Sequence, residues 1–399
     1  MAQWLGTTLW FSPSGAADGL MAELGIGTAA FGWLIAATQL GFIAGTVGFA
    51  LTGAADRFAA SRIFAFSSMV GALANAALVT PGVGFEVVWA LRFGVGLCLA
   101  GIYPMGMKMI VQWVGGKPAA ALSWLVGMLT LGTAMPHGLR AAGASWPWEA
   151  IMLISSALAV AGAVMIFILG DRTHASILRP ALTQLPSRPK PAAISNSLST
   201  ASQVFAIKGF RSSAFGYFGH MWEVYAFWSV LPWLCAPLVA GLVLRSGGLV
   251  AGGATSVALL SFLVIAAGCL GSILGGYLSR YIGSAYVAAG ALAGSGLICL
   301  VYPLIPEQAV AWRLAALFFW GFFVVADSPH FSALSAQHCP PQWLGSALVM
   351  QNGIGFSLTV VSILILSYAV PLWGAAAMWI LLPGPILGLW AMRALLVRT

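Results

Sequence analysis

Apolar residues run through the chain in long blocks, which charges, prolines and glycine-rich turns interrupt. Twelve of these blocks are long enough to cross a bilayer as α-helices, and lipid leaves an open-ended segment no other way to pair its backbone polar groups. The pattern therefore predicts an all-α integral membrane protein. The predicted spans cover residues 3–21, 28–51, 62–80, 85–112, 118–139, 149–170, 211–237, 251–278, 284–304, 309–336, 344–369 and 372–394.

One long polar stretch divides the predicted spans six and six. Residues 171–210 contain four prolines and the serine-rich segment ISNSLSTASQ, a composition typical of a flexible linker. We expect a cytoplasmic linker here, between a six-helix bundle at residues 1–170 and a second one at residues 211–399.

The two predicted bundles repeat each other. The segment from Gly48 to Arg57 aligns with the segment from Gly271 to Arg280 at an offset of 223 residues, and the same offset places Gly132 on Gly355. A repeat with parallel halves is typical of transporters that rock two domains about a central site.

Composition and charge agree with a membrane protein and indicate its orientation. The 399 residues are 60% hydrophobic and 7% charged, which is too apolar for a water-wetted surface. The net charge of +8 forms no patch of the kind that nucleic acids need, so no nucleic-acid partner is predicted.

The basic residues concentrate on one side, which the positive-inside rule assigns to the cytoplasm together with both termini. They are Arg57, Arg62, Lys117, Arg172, Arg179, Arg188, Lys190, Lys208, Arg211, Arg280, Arg393 and Arg398, against Arg140 and Arg245 outside.

No motif indicates an enzyme, a cofactor or a metal site. The five cysteines are scattered without CxxC or Cys/His spacing, and no P-loop, GxSxG or HExxH motif occurs in a suitable context. A receptor would need a ligand domain or a long tail, which this sequence does not show.

Two segments resemble signatures of the major facilitator superfamily. One is the loop TGAADRF at residues 52–58, although Thr52 and Ala59 stand where that family usually has glycines. The other is RFGVG at residues 92–96, followed by Gly101 and Pro104. The resemblance covers essentially the whole chain. It implies twelve transmembrane helices in two pseudo-symmetric six-helix bundles and transport by alternating access.

The loop after the second span is also expected to act in gating. Asp56 lies at a helix end, where it can pair with Arg57 or Arg62 in one arrangement and release them in another. Arg280, at the repeat-related position, is assigned the same role. The strings AGIYPMGMK, GHMWEVYAFW and ADSPHFSAL resemble a bacterial branch of the superfamily, which implies a bacterial cytoplasmic (inner) membrane but no particular solute.

Ionisable side chains inside the spans are costly and are usually kept for function. The second half offers two pairs of an acid and a histidine three residues apart. Of these groups, Glu223 is our first choice for proton coupling, with His220 and Asp327 beside it. The first half offers two cations, Arg92 and Lys108.

Structural roles stay open for these groups. Arg92, the expected partner of Glu223 across a cavity, could instead bond backbone carbonyls. Lys108 could extend toward the cytoplasm, and Asp327 could cap backbone groups that Pro329 frees. His137 is expected to be structural or to line a gate. The predicted solute contacts are Arg92, Lys108, His220, Trp222, Tyr225, Tyr103, Gln39, His330 and Asn352.

The leading functional hypothesis is a proton-coupled secondary transporter of a small anionic or zwitterionic solute, which is expected to work as a monomer. One alternative is proton-driven efflux of amphipathic compounds, because the run containing Trp222, Tyr225, Phe227 and Trp228 could form an apolar cavity. A second alternative is a copper-type metal importer, suggested by Met105, Met107, Met109, His220 and Met221.

Overall fold

In a computed structural model, residues 1–114, 118–143, 145–171, 203–245, 253–340 and 343–396 are described. Within them the regular structure is entirely helical. The first half contains α1 (Ala2–Thr7), α2 (Ser12–Gly15), α3 (Ala17–Leu24), α4 (Thr28–Thr52), α5 (Ala54–Arg57), α6 (Ala60–Ala76), α7 (Phe85–Val114), α8 (Pro118–Ala142) and α9 (Trp148–Leu169). The second half contains α10 (Lys208–Arg245), α11 (Ala254–Ile282), α12 (Ser284–Val301), α13 (Val310–Ala326), α14 (Ser328–His338), α15 (Leu344–Trp373) and α16 (Pro383–Leu396). Short 3₁₀ segments lie at Ala77–Val79, Tyr302–Leu304 and Gly374–Leu381.

The prediction of an all-α membrane protein is confirmed. Nine stretches within the described ranges are helical, long and apolar enough to cross a membrane. One of them, Ala347–Leu396, holds two predicted spans, and the remaining two predicted spans are α1–α3 and α8. Between 44 and 50% of the most apolar window of each stretch is buried, so about half of each such window faces outward, where lipid would contact it.

The first predicted span is not a continuous helix, which corrects the expectation for residues 3–21. It is divided into α1, α2 and α3, with an opening from Thr8 to Phe11. Pro13 near the start of α2 has no backbone N–H to offer. The carbonyl groups that the opening frees are bonded by a side chain from another span, described below.

Other boundaries also differ from the predicted ones. The seventh span extends from Lys208 to Arg245 rather than 211–237, because Pro232 and Pro237 lie inside the helix without ending it. The tenth span divides at Asp327 into α13 and α14, where Pro329 lies in the first turn of α14. Most of the predicted linker, residues 172–202, lies outside the described residues, and the bundle boundaries at 170 and 210 stay a prediction.

The repeat is visible as the same packing contact in both halves. A Cβ atom at Gly132 in α8 would lie 2.0 Å from Thr7 Oγ1, in the first span of that half. A Cβ atom at Gly355 in α15 would lie 2.5 Å from the ring of Tyr217, in the first span of the second half. Glycine therefore permits the same close approach at two positions related by the repeat.

The halves meet along two pairs of helices. In one pair α4 packs along α15, and the rings of Phe42 and Phe356 lie 4.3 Å apart. In the other pair α8 packs along α11, with Ser123 directly against Gly276. The first spans of the two halves, α1–α3 and α10, face each other between these pairs.

Substituting Gly132 with alanine tests the close approach in the first half. Gly132→Ala is expected to lower the free energy of unfolding by about 1–3 kcal/mol, since the new methyl group would overlap Thr7 and the carbonyl of Trp4. Thermal unfolding in detergent measures the change. Gly94→Ala is the matched control, because a Cβ atom at Gly94 meets no heavy atom within 4 Å. Equal melting temperatures for both variants would contradict the contact.

Candidate functional site

Six aromatic side chains close the space between the halves at mid-depth, and we call them the aromatic seal. The seal consists of Trp10, Phe11 and Phe42 from the first half and Tyr225, Trp228 and Phe356 from the second. Ring centroids across the boundary lie between 4.3 and 6.2 Å apart. Each such pair contributes about 0.5–1.5 kcal/mol beyond the area it buries, so the seal favours the closed arrangement.

Arg92 in α7 holds the opening of the first span, which supplies two residues of the seal. Its guanidinium is fully buried, and Nη2 donates to the carbonyl of Trp10 at 2.7 Å. Nη1 lies within bonding distance of the Leu9 carbonyl, Ser12 Oγ and Asn75 Oδ1, at 3.1, 3.3 and 3.0 Å. The contacts observed for Arg92 are therefore structural ones, and they fix the position from which Trp10 projects.

Below the seal, toward the face that carries the termini, lies a central cavity of about 30 Å³. That volume is about the space of one water molecule. Its wall contains Tyr103, Met107, Tyr217, His220, Met221, Tyr225, Trp228, Ser328, Ser332, Asn352 and Phe356, together with apolar residues. The cavity is thus a mostly neutral space with hydroxyl, amide and imidazole groups, and its wall contains no lysine or arginine among the residues that the structure describes.

His220 and Asp327 form a buried pair at this cavity. His220 Nδ1 lies 2.8 Å from Asp327 Oδ1, and the two side chains are 3% and 1% exposed. Asp327 lies between α13 and α14, where the tenth span divides. The contact is an ion pair whenever the imidazole is protonated, and it joins the seventh span to the tenth.

Glu223 lies one turn further along α10 and points to different partners. Trp320 Nε1 donates to Glu223 Oε1 at 2.6 Å, and Ser295 Oγ donates to Oε2 at 2.9 Å. The side chain is fully buried between α10, α12 and α13 and is not part of the wall of the central cavity. The expected contact between Glu223 and Arg92 is wrong in this arrangement, because each group is bonded within its own half.

The family model of the Major Facilitator Superfamily matches residues 1–363. The chain belongs to this superfamily. Members of the superfamily are transporters, so the broken spans, the seal and the central cavity are parts of a multi-pass membrane transporter. Comparison with curated proteins gives no match.

The transporter brings four of the predicted solute contacts to one place. Tyr103, His220, Tyr225 and Asn352 all line the central cavity. The others lie elsewhere. Trp222 donates from Nε1 to the carbonyl of Ile380 at 2.9 Å, on the side of α10 that faces the last span.

Lys108, Gln39 and His330 also lie away from the wall of the cavity. Lys108 Nζ bonds the carbonyl of Ala55 in the loop after the second span. Gln39 is fully buried in α4, and neither polar atom of its side chain has a hydrogen-bond partner among the described residues. His330 Nδ1 lies 3.4 Å from Ser284 Oγ.

The predicted gating residues lie at the face that carries the termini. Arg57, Arg62 and Arg280 are exposed there, and the side chain of Asp56 lies outside the described residues. A neighbouring acid was missed: Asp171 Oδ1 accepts from the backbone N–H of Ser61 at 2.9 Å. A carboxylate at this position stabilises α6, because the N-terminal end of a helix carries a partial positive charge.

Other residues that build the site were also missed. Asn75 and Ser12 complete the shell around Arg92, and Ser295 and Trp320 complete the shell around Glu223. A polar side chain within an apolar span was the available signal for Asn75, Ser12 and Ser295. No comparable signal marks Trp320 among seventeen tryptophans.

Substituting Arg92 with lysine separates a structural role from solute binding. Arg92→Lys keeps the charge but loses the guanidinium group, whose two nitrogens bond the carbonyls of Leu9 and Trp10. We therefore expect the free energy of unfolding, measured in the absence of solute, to fall by about 2–3 kcal/mol. Thermal unfolding measures this, with the exposed Arg280→Lys as control. A variant with normal stability that has lost only its solute response would show instead that Arg92 binds the solute.

Proposed function

We propose that this transporter is a secondary active carrier that couples a small polar solute to protons by alternating access between its halves. The observation that carries the proposal is the buried pair of His220 and Asp327, in which His220 lines the central cavity. Ionisable groups within spans that face such a cavity are typical of proton-coupled pathways.

The charge of the pair gives a physical reason for coupling. A neutral imidazole beside a carboxylate leaves one net negative charge in a dry site. One added proton on the imidazole makes the pair neutral overall and lowers the cost of closing protein around it. Proton loading would thus favour the closed arrangement, and release of the proton toward the other side of the membrane would favour reopening.

Glu223 takes second place in this proposal. Its bonds to Trp320 and Ser295 hold the seventh span in place two residues before Tyr225 of the seal. Protonation of Glu223 would act on the seal through these bonds, whereas the pair of His220 and Asp327 would act at the cavity through His220. Both arrangements belong to the same half.

The cavity wall does not favour a solute of one particular charge. Arg92 and Lys108, on which an anionic or zwitterionic solute was predicted, bond backbone carbonyls in this arrangement. The wall of the cavity favours a solute with hydrogen-bonding groups beside apolar or aromatic parts. Efflux of amphipathic compounds fits the aromatic wall as well, although Tyr225 and Trp228 close the path here.

A metal importer is the second candidate because three soft or nitrogen ligands share the cavity. Met107, His220 and Met221 all lie in its wall, as Cu(I) would require. Met105 and Met109, which were predicted alongside them, are buried and do not belong to the wall. A thermal-shift screen of the purified protein against anions, Cu(I) and amphipathic cations would separate these solute classes.

Replacing Asp327 tests proton coupling with the solute that the screen identifies. In proteoliposomes, Asp327→Asn is expected to keep exchange of labelled for unlabelled solute, which needs no net proton movement. It should lose accumulation driven by an imposed pH gradient. Asparagine has no negative charge that a proton on His220 could neutralise, so protonation would no longer favour the closed arrangement. The exposed Glu86→Gln is the control. Gradient-driven accumulation at the normal level in Asp327→Asn would refute the assigned role.

Glu223→Gln decides between the two acids in the same assay. The amide oxygen of glutamine can still accept from Trp320 and its nitrogen can donate to the Ser295 hydroxyl, so we expect the variant to retain both exchange and accumulation. Loss of accumulation with normal exchange would move proton coupling from Asp327 to Glu223.

A further inference from the structure

A second, much larger cavity lies beyond the aromatic seal, on the face opposite the termini. It has a volume of about 810 Å³ and lies between α2, α3 and α8 of the first half and α10 and α11 of the second. Ser14 to Gly19 follow the seal residue Phe11 along the first span, and Pro232 follows the seal residue Trp228 along α10. We call this space the vestibule.

Two buried polar atoms at the vestibule have no hydrogen-bond partner among the described residues. They are His137 Nε2 and Ser14 Oγ, in side chains that are 1% and 5% exposed. Both residues line the vestibule. An unpaired polar atom that is buried costs about 1–3 kcal/mol, which a bound polar group could offset.

The helices that carry these two atoms, α2 and α8, are in close contact. A Cβ atom at Gly15 would lie 2.5 Å from the carbonyl oxygen of Pro136, so glycine permits this approach. Ser14 and His137 are the sequence neighbours of these two residues, and both belong to the wall of the vestibule.

The charges around the vestibule indicate which group it would bind. Arg140, one turn after His137 on α8, also lines it and is anchored by a 2.8 Å bond from Nη1 to the carbonyl of Trp146. Arginine only donates hydrogen bonds, and serine and histidine can donate as well. Asp18, which is exposed, is the one acid among the described lining residues.

The remaining wall is apolar and aromatic. Trp146, Trp148 and Trp233 line the vestibule together with prolines, alanines and valines. Such a wall suits the body of a ligand whose polar end is held by a few convergent donors.

We propose that the vestibule binds the carboxylate group of a small solute with an apolar or aromatic body, through Arg140, His137 and Ser14. The carboxylate accepts from the Arg140 guanidinium, from the Ser14 hydroxyl and from His137 when Nε2 carries the proton. The body lies against the tryptophans. This inference goes beyond the proposed function, since binding in the vestibule requires neither proton coupling nor entry into the central cavity.

Protection of an engineered cysteine tests the proposal with defined probes. Ala236 lines the vestibule and is exposed, so Ala236→Cys is accessible to a polar maleimide in purified protein in nanodiscs. Three probes share an indole ring and differ in charge: indole-3-acetate, tryptophan and tryptamine. Indole-3-acetate should slow labelling, and tryptamine, which lacks the carboxylate, should not. Protection by tryptophan as well would show that an ammonium group is tolerated beside Asp18.

Variants of the proposed hydrogen-bond donors test whether they bind the carboxylate of the probe. In the Ala236→Cys background, Arg140→Gln should raise the concentration needed for protection roughly tenfold, the effect expected for one lost charge-assisted hydrogen bond. Ser14→Ala, a small change that keeps the fold, should weaken protection less. Arg245→Gln is the matched control, because Arg245 is also basic and on the same face but bonds the carbonyl of Gln308. Labelling of the exposed Thr52→Cys on the opposite face should not respond to any probe.

Three outcomes would overturn the proposal: equal protection by tryptamine and indole-3-acetate, protection that Arg140→Gln leaves unchanged, or no protection by any of the probes. The last result would indicate that water satisfies His137 and Ser14. Protection is measured in purified protein without a pH gradient, so failure of the proton-coupling proposal would not affect this one.

Discussion

The position of the first span depends on one buried guanidinium. A bilayer offers no water to carbonyl groups that an opened helix releases, so donors must come from the protein. Arg92 supplies them to Leu9 and Trp10, and it is held in turn by Asn75 and Ser12. The result is a helix that can be open at mid-depth and still place Trp10 and Phe11 against the other half.

The second half has a buried acid where the first half has a buried cation. Its first span is a continuous helix, and the buried ionisable group beside the seal is Glu223 on that span rather than an arginine on a neighbouring one. In both halves, however, the third and fourth spans each contribute one side chain to the polar cluster beside the seal. These are Asn75 and Arg92 in the first half, and Ser295 and Trp320 in the second. The repeat is thus preserved in position while the chemistry has diverged.

The sequence allowed the helical architecture to be predicted because spanning length and apolar composition are local properties. The same is true of the ionisable groups, since His220, Glu223 and Asp327 stand out in apolar runs. Their pairing was predictable only in part. Asp327 was expected as a partner of the segment that carries His220 and Glu223, and these two residues, three apart, could also have interacted with each other. Helix packing instead turns His220 toward Asp327 and Glu223 toward Trp320.

The opening of the first span was hidden for a similar reason. Residues 8–11 are apolar or weakly polar, and Pro13 is the one proline in residues 3–21. A helix opens where a distant side chain can bond the released carbonyl groups, and that depends on the fold of the whole half. The role of Arg92 was left open between backbone and solute on the same grounds, and the structure shows the backbone contacts.

The small size of the central cavity has a consequence for measured affinities. A space that holds about one water cannot accommodate an organic solute, so binding there requires the wall to move apart, and three rings of the seal, Tyr225, Trp228 and Phe356, belong to that wall. The apparent dissociation constant then exceeds the intrinsic one by the inverse of the fraction of molecules that are open. Weakening a single ring contact, such as that between Phe42 and Phe356, would tighten equilibrium binding without touching the solute. Apparent affinity in this protein would then depend on the stability of the seal as well as on the residues that contact the cargo.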